Sequence, residues 1–252
     1  MFISKSNILD ITNTTVVTDG SGNIPTEYLL NKDFSEVYRS GTASNIFRVE
    51  LDVVGINYIA IAGLDVFGIC TKIDFEYWNG SSYVIAETQN VTSNATLMFV
   101  NTTGIVADKW RVAFTKVFSN LRVGLAYIAA GNYWEVPNGG EQSGYQRPWS
   151  TPSYKQRTQN NQGMPTSSVI ESMGVSSTLN IANVRTSEVI SNWEPLQGYA
   201  VRNGVFINEN PNYLDQSYYC YNCIPSAVKA HSQTRELQNL SMKFTAWTGR
   251  TI

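Results

Sequence analysis

The chain has 252 residues and a net charge of −2, from 18 Lys+Arg against 20 Asp+Glu. With no basic run, a nucleic-acid partner has no electrostatic footprint, and no apolar run approaches the ~18 residues a membrane helix needs. Only 15% of residues are charged and 12% are aromatic. Together with abundant Thr, Ser, Asn, Gly, Tyr and Val, that is a strand-forming composition, since β-branched and aromatic side chains fit a pleated surface.

The length suits one large or two modest domains, at ~100–200 residues each. The N-terminus, M-F-I-S-K-S-N-I-L-D, lacks the apolar core of a secretory signal, so a soluble, non-exported chain is expected. The N-x-S/T matches at Asn13, Asn79, Asn90, Asn94, Asn101 and Asn239 are then expected to stay unglycosylated. Three cysteines, Cys70, Cys220 and Cys223, are too few and too odd a number for a disulfide framework. Cys220-Tyr-Asn-Cys223 is a lone C-x-x-C. A structural zinc site wants four ligands, and only distant Cys70 and His231 could complete it, so half-buried thiols and no metal are expected.

Residues 1–45 show weak periodicity, with a turn cluster T-D-G-S-G-N at 18–23 and Pro25 after it. From Asn45 the alternation sharpens. Phe47, Val49, Leu51 and Val53 share one face, and Arg48, Glu50 and Asp52 the other. Tyr58 to Ala62 is a short apolar strand ended by Gly63. In K-I-D-F-E-Y-W, Ile73, Phe75 and Tyr77 point inward, and Asn79-Gly80 makes the hairpin that brings the chain back through Ser82 to Ala86. Thr96 to Val100 is a further strand. Residues 108–136 then read as two strands joined at Ser119-Asn120. In the first, Trp110, Val112 and Phe114 oppose Arg111, Ala113 and Thr115. The second, Leu121 to Ala130, is apolar on both faces, as inside a sandwich. About eight short strands at near-regular spacing predict a β-sandwich or jelly roll.

The segments S-N-I-F-R-V-E-L-D, N-Y-I-A-I-A-G, D-F-E-Y-W-N-G-S-S-Y, K-W-R-V-A-F-T and V-G-L-A-Y-I-A-A-G follow one another in the order of a discoidin or galactose-binding-like jelly roll, which residues 40–136 resemble. Here Asn79-Gly80 and Tyr83 replace that family's usual Asp-Gly and Trp. The exit Ala130-Gly131-Asn132-Tyr133-Trp134-Glu135-Val136-Pro137 resembles the version found in virion proteins of tailed bacteriophages. The resemblance implies a jelly roll over residues 1–137 and a place in a phage tail or baseplate. It also implies sugar binding on loops at one end, for which Trp78, Tyr83 and Trp134 are the candidates, against the plainer reading that Trp78 and Tyr83 pair across the hairpin and Trp134 plugs the exit. The family often carries calcium near the N-terminus, but Asp10, Asp19 and Asp33 form no convergent carboxylate cluster.

Residues 138–162, rich in Gly, Pro, Gln and Ser, break the pattern and read as an extended arm or linker over 138–168. Its aromatics Tyr145, Trp149 and Tyr154 are the candidate contacts to a neighbouring subunit. Beyond it, 169–252 reads as a smaller β-rich domain with one helix near 186–200. A strand covers Ser177 to Val184. Thr186 or Ser187 can cap the helix, with Glu188 in its first turn, and Val189, Ile190, Trp193, Leu196 and Ala200 fall at helical spacing. Pro195 inside that run should kink or end it. Val205–Asn208, Ser217 to Tyr221 and Leu237–Trp247 read as strands. The spacing of Trp193, Leu196 and Tyr199 before Gly204-Val205-Phe206-Ile207 also resembles the C-terminal part of phage structural proteins.

No serine sits in G-x-S-x-G, and the one histidine, His231, stands alone in a polar segment. Asp74 and Glu76 share a strand face and could form a glycosidase pair, but a solvated face is the stronger expectation. The chain is therefore expected to be non-enzymatic and without cofactors. It would be a homo-oligomeric component of the virion, meeting other tail proteins and assembled as a symmetric ring in the host cytoplasm. The alternative is a carbohydrate-binding module that takes a host-surface glycan as its partner.

Overall fold

A computed structural model describes residues 1–10, 12–17, 26–30, 37–137, 154–159, 165–172, 174–226, 228–230 and 236–247. In chain order the first strands are β1 (Phe2–Ser4), β2 (Thr14–Val17), β3 (Tyr38–Arg39), β4 (Ile46–Leu51), β5 (Tyr58–Asp65) and β6 (Cys70–Trp78). Then come β7 (Tyr83–Asn90), β8 (Leu97–Val100), β9 (Trp110–Lys116), β10 (Gly124–Gly131) and β11 (Tyr133–Glu135). The second half contains β12 (Tyr154–Gln159), β13 (Pro165–Ser172), β14 (Gly174–Arg185), β15 (Val205–Asn208), β16 (Ser217–Pro225), β17 (Lys229–Ala230) and β18 (Leu237–Trp247).

The protein is mainly β, a β-sandwich joined to a further sheet that carries one helix. One sandwich sheet runs β2-β4-β9-β6-β7 and the other β3-β10-β5-β8, all neighbours antiparallel. The alternation read from the sequence explains their packing. Phe47, Val49, Leu51, Ile73, Phe75, Val112 and Phe114 from the first sheet meet Ile59, Ile61, Leu97, Phe99 and Ile128 from the second in one buried cluster.

The second sheet is covered on its other face as well. Tyr58, Ala60, Ala62, Met98, Tyr127 and Ala129 pack against Phe2, Phe206 and Tyr219 of a third sheet, ordered β11-β1-β15-β16-β18-β14 with β17 beside β18. Burial on both faces is why β10 is apolar throughout and buried at all eight residues. The third sheet in turn buries Leu179, Ile181, Ile207, Tyr218 and Met242 under Val189, Trp193, Leu196 and Ala200 of the helical segment. At β15 the division is residue by residue, with Val205 and Ile207 facing the helix and Phe206 facing the sandwich.

Both ends of the first half enter this third sheet. Phe2–Ser4 pairs with Tyr133–Glu135 on one side and with β15 on the other. In the stretch read as an arm, and running past its expected end at 168 to Ser172, β12 and β13 form an antiparallel ribbon; residues 138–153 and 160–164 lie outside the described residues.

The helical segment narrows one local expectation and corrects another. It runs through α1 (Thr186–Glu188), a π turn over Val189–Trp193 and α2 (Glu194–Asn203), so Pro195 does not end it. A proline ring clashes with the carbonyl four residues earlier, and the wider π turn ahead of Pro195 moves that carbonyl away. The N-cap is Arg185, without a side-chain cap bond, while the Thr186 hydroxyl donates to the Glu236 carbonyl at 3.2 Å.

Candidate functional site

The β6–β7 hairpin forms as the Asn-Gly signal requires. Asn79 Oδ1 accepts the N–H groups of Ser81 and Ser82, each at 2.9 Å, and Gly80 takes φ +98°. Trp78 pairs with Tyr83 across it, edge to face at 5.2 Å. The Arg111 guanidinium lies 3.8 Å over the Tyr83 ring and forms ion pairs with Glu76 and with Glu50, the latter at 3.9 Å. Burial first, and Glu50 second, hold the Tyr83 phenol above its ordinary value.

Asp74 and Glu76 stand on this outer face but are not solvated: they are 4% and 9% exposed. β6 lies between β7 and β9, and partners on all three strands cover the two carboxylates. Asp74 is matched by Lys72 at 2.7 Å and by the Thr88 hydroxyl at 2.7 Å, and Glu76 by Arg111. Carboxylates buried and paired in this way tie β6 to its neighbouring strands.

Trp134 does not join this pair. It is 3% exposed in the cluster under the helix, and its ring lies 6.2 Å from that of Trp193. It offers no ring face to solvent. Tyr145, Trp149, His231, Asp19 and Asp33 lie outside the described residues, as does the side chain of Tyr154. Asp10 caps a turn, accepting from the Thr12 hydroxyl at 2.6 Å and the Thr12 and Asn13 amides, and these bonds hold its carboxyl below the usual value. Cys70, Cys220 and Cys223 are free thiols. They are fully buried rather than half-buried, and burial pushes Cys70 and Cys223 up to about 12. Such thiols are protonated and unreactive at neutral pH. Among the described residues, no group of three His, Cys, Asp or Glu side chains converges on a metal position, and no helix is long and apolar enough to cross a membrane.

One group of surface residues escaped the sequence reading. At the end of the sandwich away from the hairpin, Phe67 and Phe118 are 61% and 64% exposed. They sit on turns tied together by the Val117 N–H, which donates to the Ile69 carbonyl at 2.9 Å. Asn94 Oδ1 fixes the first turn by accepting the Val66 and Phe67 amides at 2.8 and 2.7 Å. Lys116, 3% exposed, fixes the second, its Nζ donating to the carbonyls of Gly41 at 2.9 Å and Ser119 at 3.1 Å. Beside them Arg39 and Asp65 form an ion pair that is about half exposed. Two exposed aromatic rings on pinned turns, with charged hydrogen-bonding groups alongside, suit a ligand having both an apolar face and hydroxyls. Alternation carries no information about turn tips, so periodicity could not find them; F-G and V-F-S-N between strands were the available signal.

No protein-family model matches the chain, and no curated protein matches it. Among solved structures it is similar to the GH29 fucosidase E1_10125 of Ruminococcus gnavus in complex with fucose, at 14% identity and a TM-score of 0.41. That match covers 52% of this chain and only 27% of the fucosidase. It is also similar to CpGH89CBM32-6 produced by Clostridium perfringens, at 15% identity over 50% of this chain and 98% of that one, TM-score 0.36. The CBM32 of AlyQ, in complex with 4,5-unsaturated mannuronic acid, is 16% identical over 48% of this chain and 95% of that one, TM-score 0.37. At TM-scores below 0.5 the likeness assigns neither ligand nor role to this chain.

Proposed function

We propose that this chain is a non-catalytic carbohydrate-binding protein that takes a glycan at the Phe67–Phe118 end of its sandwich. The observation that carries the reading is the exposure of those two rings on turns held rigid by Asn94 and Lys116. A sugar's C–H face stacks on an aromatic ring, while its hydroxyls bond to groups such as Arg39 and Asp65. A pinned pair of turns also loses little entropy on binding. The Trp78–Tyr83 hairpin is the competing platform, with the two rings already engaged with each other and one Tyr83 face taken by Arg111.

A glycan array probed with the native chain, Phe67→Ala/Phe118→Ala and Trp78→Ala tests this. The double variant should weaken binding by roughly tenfold or more, equivalent to ~1.4 kcal/mol, with Trp78→Ala near native. Loss confined to Trp78→Ala moves the site to the hairpin, and absence of any glycan ligand overturns the reading.

A second reading, a structural component of a phage tail or baseplate assembled as a ring, is favoured by β14. This strand has twelve residues and pairs with β18 on one side. Gly174 to Val184 contains no charge or proline, the devices that usually blunt a sheet edge. Negative-stain images of the purified chain and mass spectrometry of particles test it; a monomer absent from virions would sink it.

A further inference from the structure

At the opposite end of the sandwich from Phe67 lies a groove of about 310 Å³, formed where two sandwich loops meet the third sheet. Ile56 and Asn57 line it from the β4–β5 loop, Asn101, Ile105 and Val106 from the β8–β9 loop, and Tyr133 from β11. Its size is at the lower end of small-molecule sites, ~300–1,000 Å³.

The groove is rigid because its lining residues are bonded to one another and to the sheets behind them. Asn101 N–H donates to the Asn57 carbonyl at 2.8 Å, and Asn57 N–H to the Gly131 carbonyl at 2.8 Å. The Asn101 side chain closes its own loop, giving Nδ2 to the Ile105 carbonyl at 2.7 Å and accepting the Ile105 N–H at 3.0 Å. Asn57 Oδ1 accepts the Tyr133 N–H at 2.9 Å, which fastens the loop to β11. The Tyr133 ring is fixed edge-on against Phe2 at 5.1 Å.

What remains unspent is specific. Asn57 needs only its Oδ1 to hold Tyr133, so its Nδ2 donors are available, as is the Tyr133 hydroxyl. Burial first, and Glu135 second, hold that phenol above its ordinary value, so at neutral pH it keeps its proton and can donate. Val106, 86% exposed, adds an apolar lip that core packing does not explain. No lining side chain carries a charge, which disfavours an ionic ligand: a bound charge would lose hydration without gaining a counter-charge.

We infer that this groove binds one neutral sugar ring, with the Asn57 amide and the Tyr133 hydroxyl donating to its hydroxyls and the Tyr133 ring and Val106 covering its apolar face. The site is separate from the Phe67–Phe118 end and uses none of its residues.

The test is saturation-transfer NMR on the full chain with galactose, mannose and N-acetylglucosamine as probes. Two conservative variants are compared with the native chain: Asn57→Asp, which keeps the acceptor for Tyr133 N–H but removes the donor, and Tyr133→Phe, which keeps the ring but removes the hydroxyl. Thermal melts establish that each is folded. For at least one sugar, both variants should lose roughly tenfold in affinity, and Phe67→Ala/Phe118→Ala should leave that signal in place. Native-like signals in both groove variants overturn the inference, as does the absence of transfer from all three sugars. A signal lost only in Phe67→Ala/Phe118→Ala also overturns the groove while sustaining the loop-end site.

Discussion

Trp134 Nε1 donates to Glu188 Oε2 at 3.3 Å, joining the strand that leaves the sandwich to the first turn of the helical segment. Asn192 Nδ2 donates to the same oxygen at 2.8 Å, and the Trp134 ring packs beside Trp193. A residue that could have been a sugar platform is instead the anchor between the third sheet and its helix.

Trp134→Ala should therefore cost stability, by ~3–5 kcal/mol for a large buried aromatic. Glycan binding by the protein that remains folded should be unchanged. Chemical denaturation combined with binding measured below the transition checks this. A stable variant that has lost its ligand would return Trp134 to the site.

Lys116 is buried with its ammonium on two loop carbonyls. Lys116→Met keeps the apolar stem and leaves those carbonyls without this donor, at a cost of ~1–3 kcal/mol. The damage should be local. Hydrogen exchange should speed up at the amides of residues 117–121 before it does in β10, and glycan affinity at Phe118 should fall with it. Uniform exchange across the sandwich would contradict the pinning role.

Gly63 has φ +66°, and a Cβ built there would stand 2.4 Å from Ala126 Cβ on the facing strand. At this point the side-chain alternation resets: Ile61 and Leu64 both face the main core, as do Leu125 and Ile128 across from them. Gly63→Ala should destabilise by ~1–3 kcal/mol, combining backbone strain with overpacking. A melting temperature equal to native would refute the close approach.

Burial holds Tyr127 up at about 12, against an ordinary value of 10.0, and Cys70 and Cys223 up at about 12, against 9.0. The unfolded chain releases these protons from pH 9 upward, whereas the fold retains them to about 12. Stability is thus full below pH 9 and is lost as pH rises through 12, because the native state binds more protons across that window. Melting temperatures should fall steadily over pH 9 to 12, with a shallower fall in Tyr127→Phe. A flat profile would mean that these groups are solvated.

Period-two alternation in 46–53 and 72–78, the Asn79-Gly80 turn and the strands Val205–Asn208 and Leu237–Trp247 were legible because the face of a strand is written in every second residue. The same local rule misjudged Asp74 and Glu76. It assigns a face but says nothing of how far Arg111, Lys72 and Thr88 reach across it. Of the two outcomes open at Pro195, a kink or an end, the structure excludes the end, and the widened turn that lets the helix continue is a feature of backbone geometry with no composition of its own.

By itself the sequence determined that this is a β protein with one helix, which face of most strands is apolar, and that the double-sided strand β10 lies inside. Those properties follow from side-chain chemistry at fixed spacing. Only the tertiary structure decided that a third sheet, holding Phe2–Ser4 beside Tyr133–Glu135 and Val205–Asn208, covers the sandwich. It also decided that Trp134 is buried while Phe67 and Phe118 are left exposed. Such outcomes depend on contacts between residues far apart in the chain, from Trp134 with Glu188 to Ser4 with Phe206, and no local period encodes them.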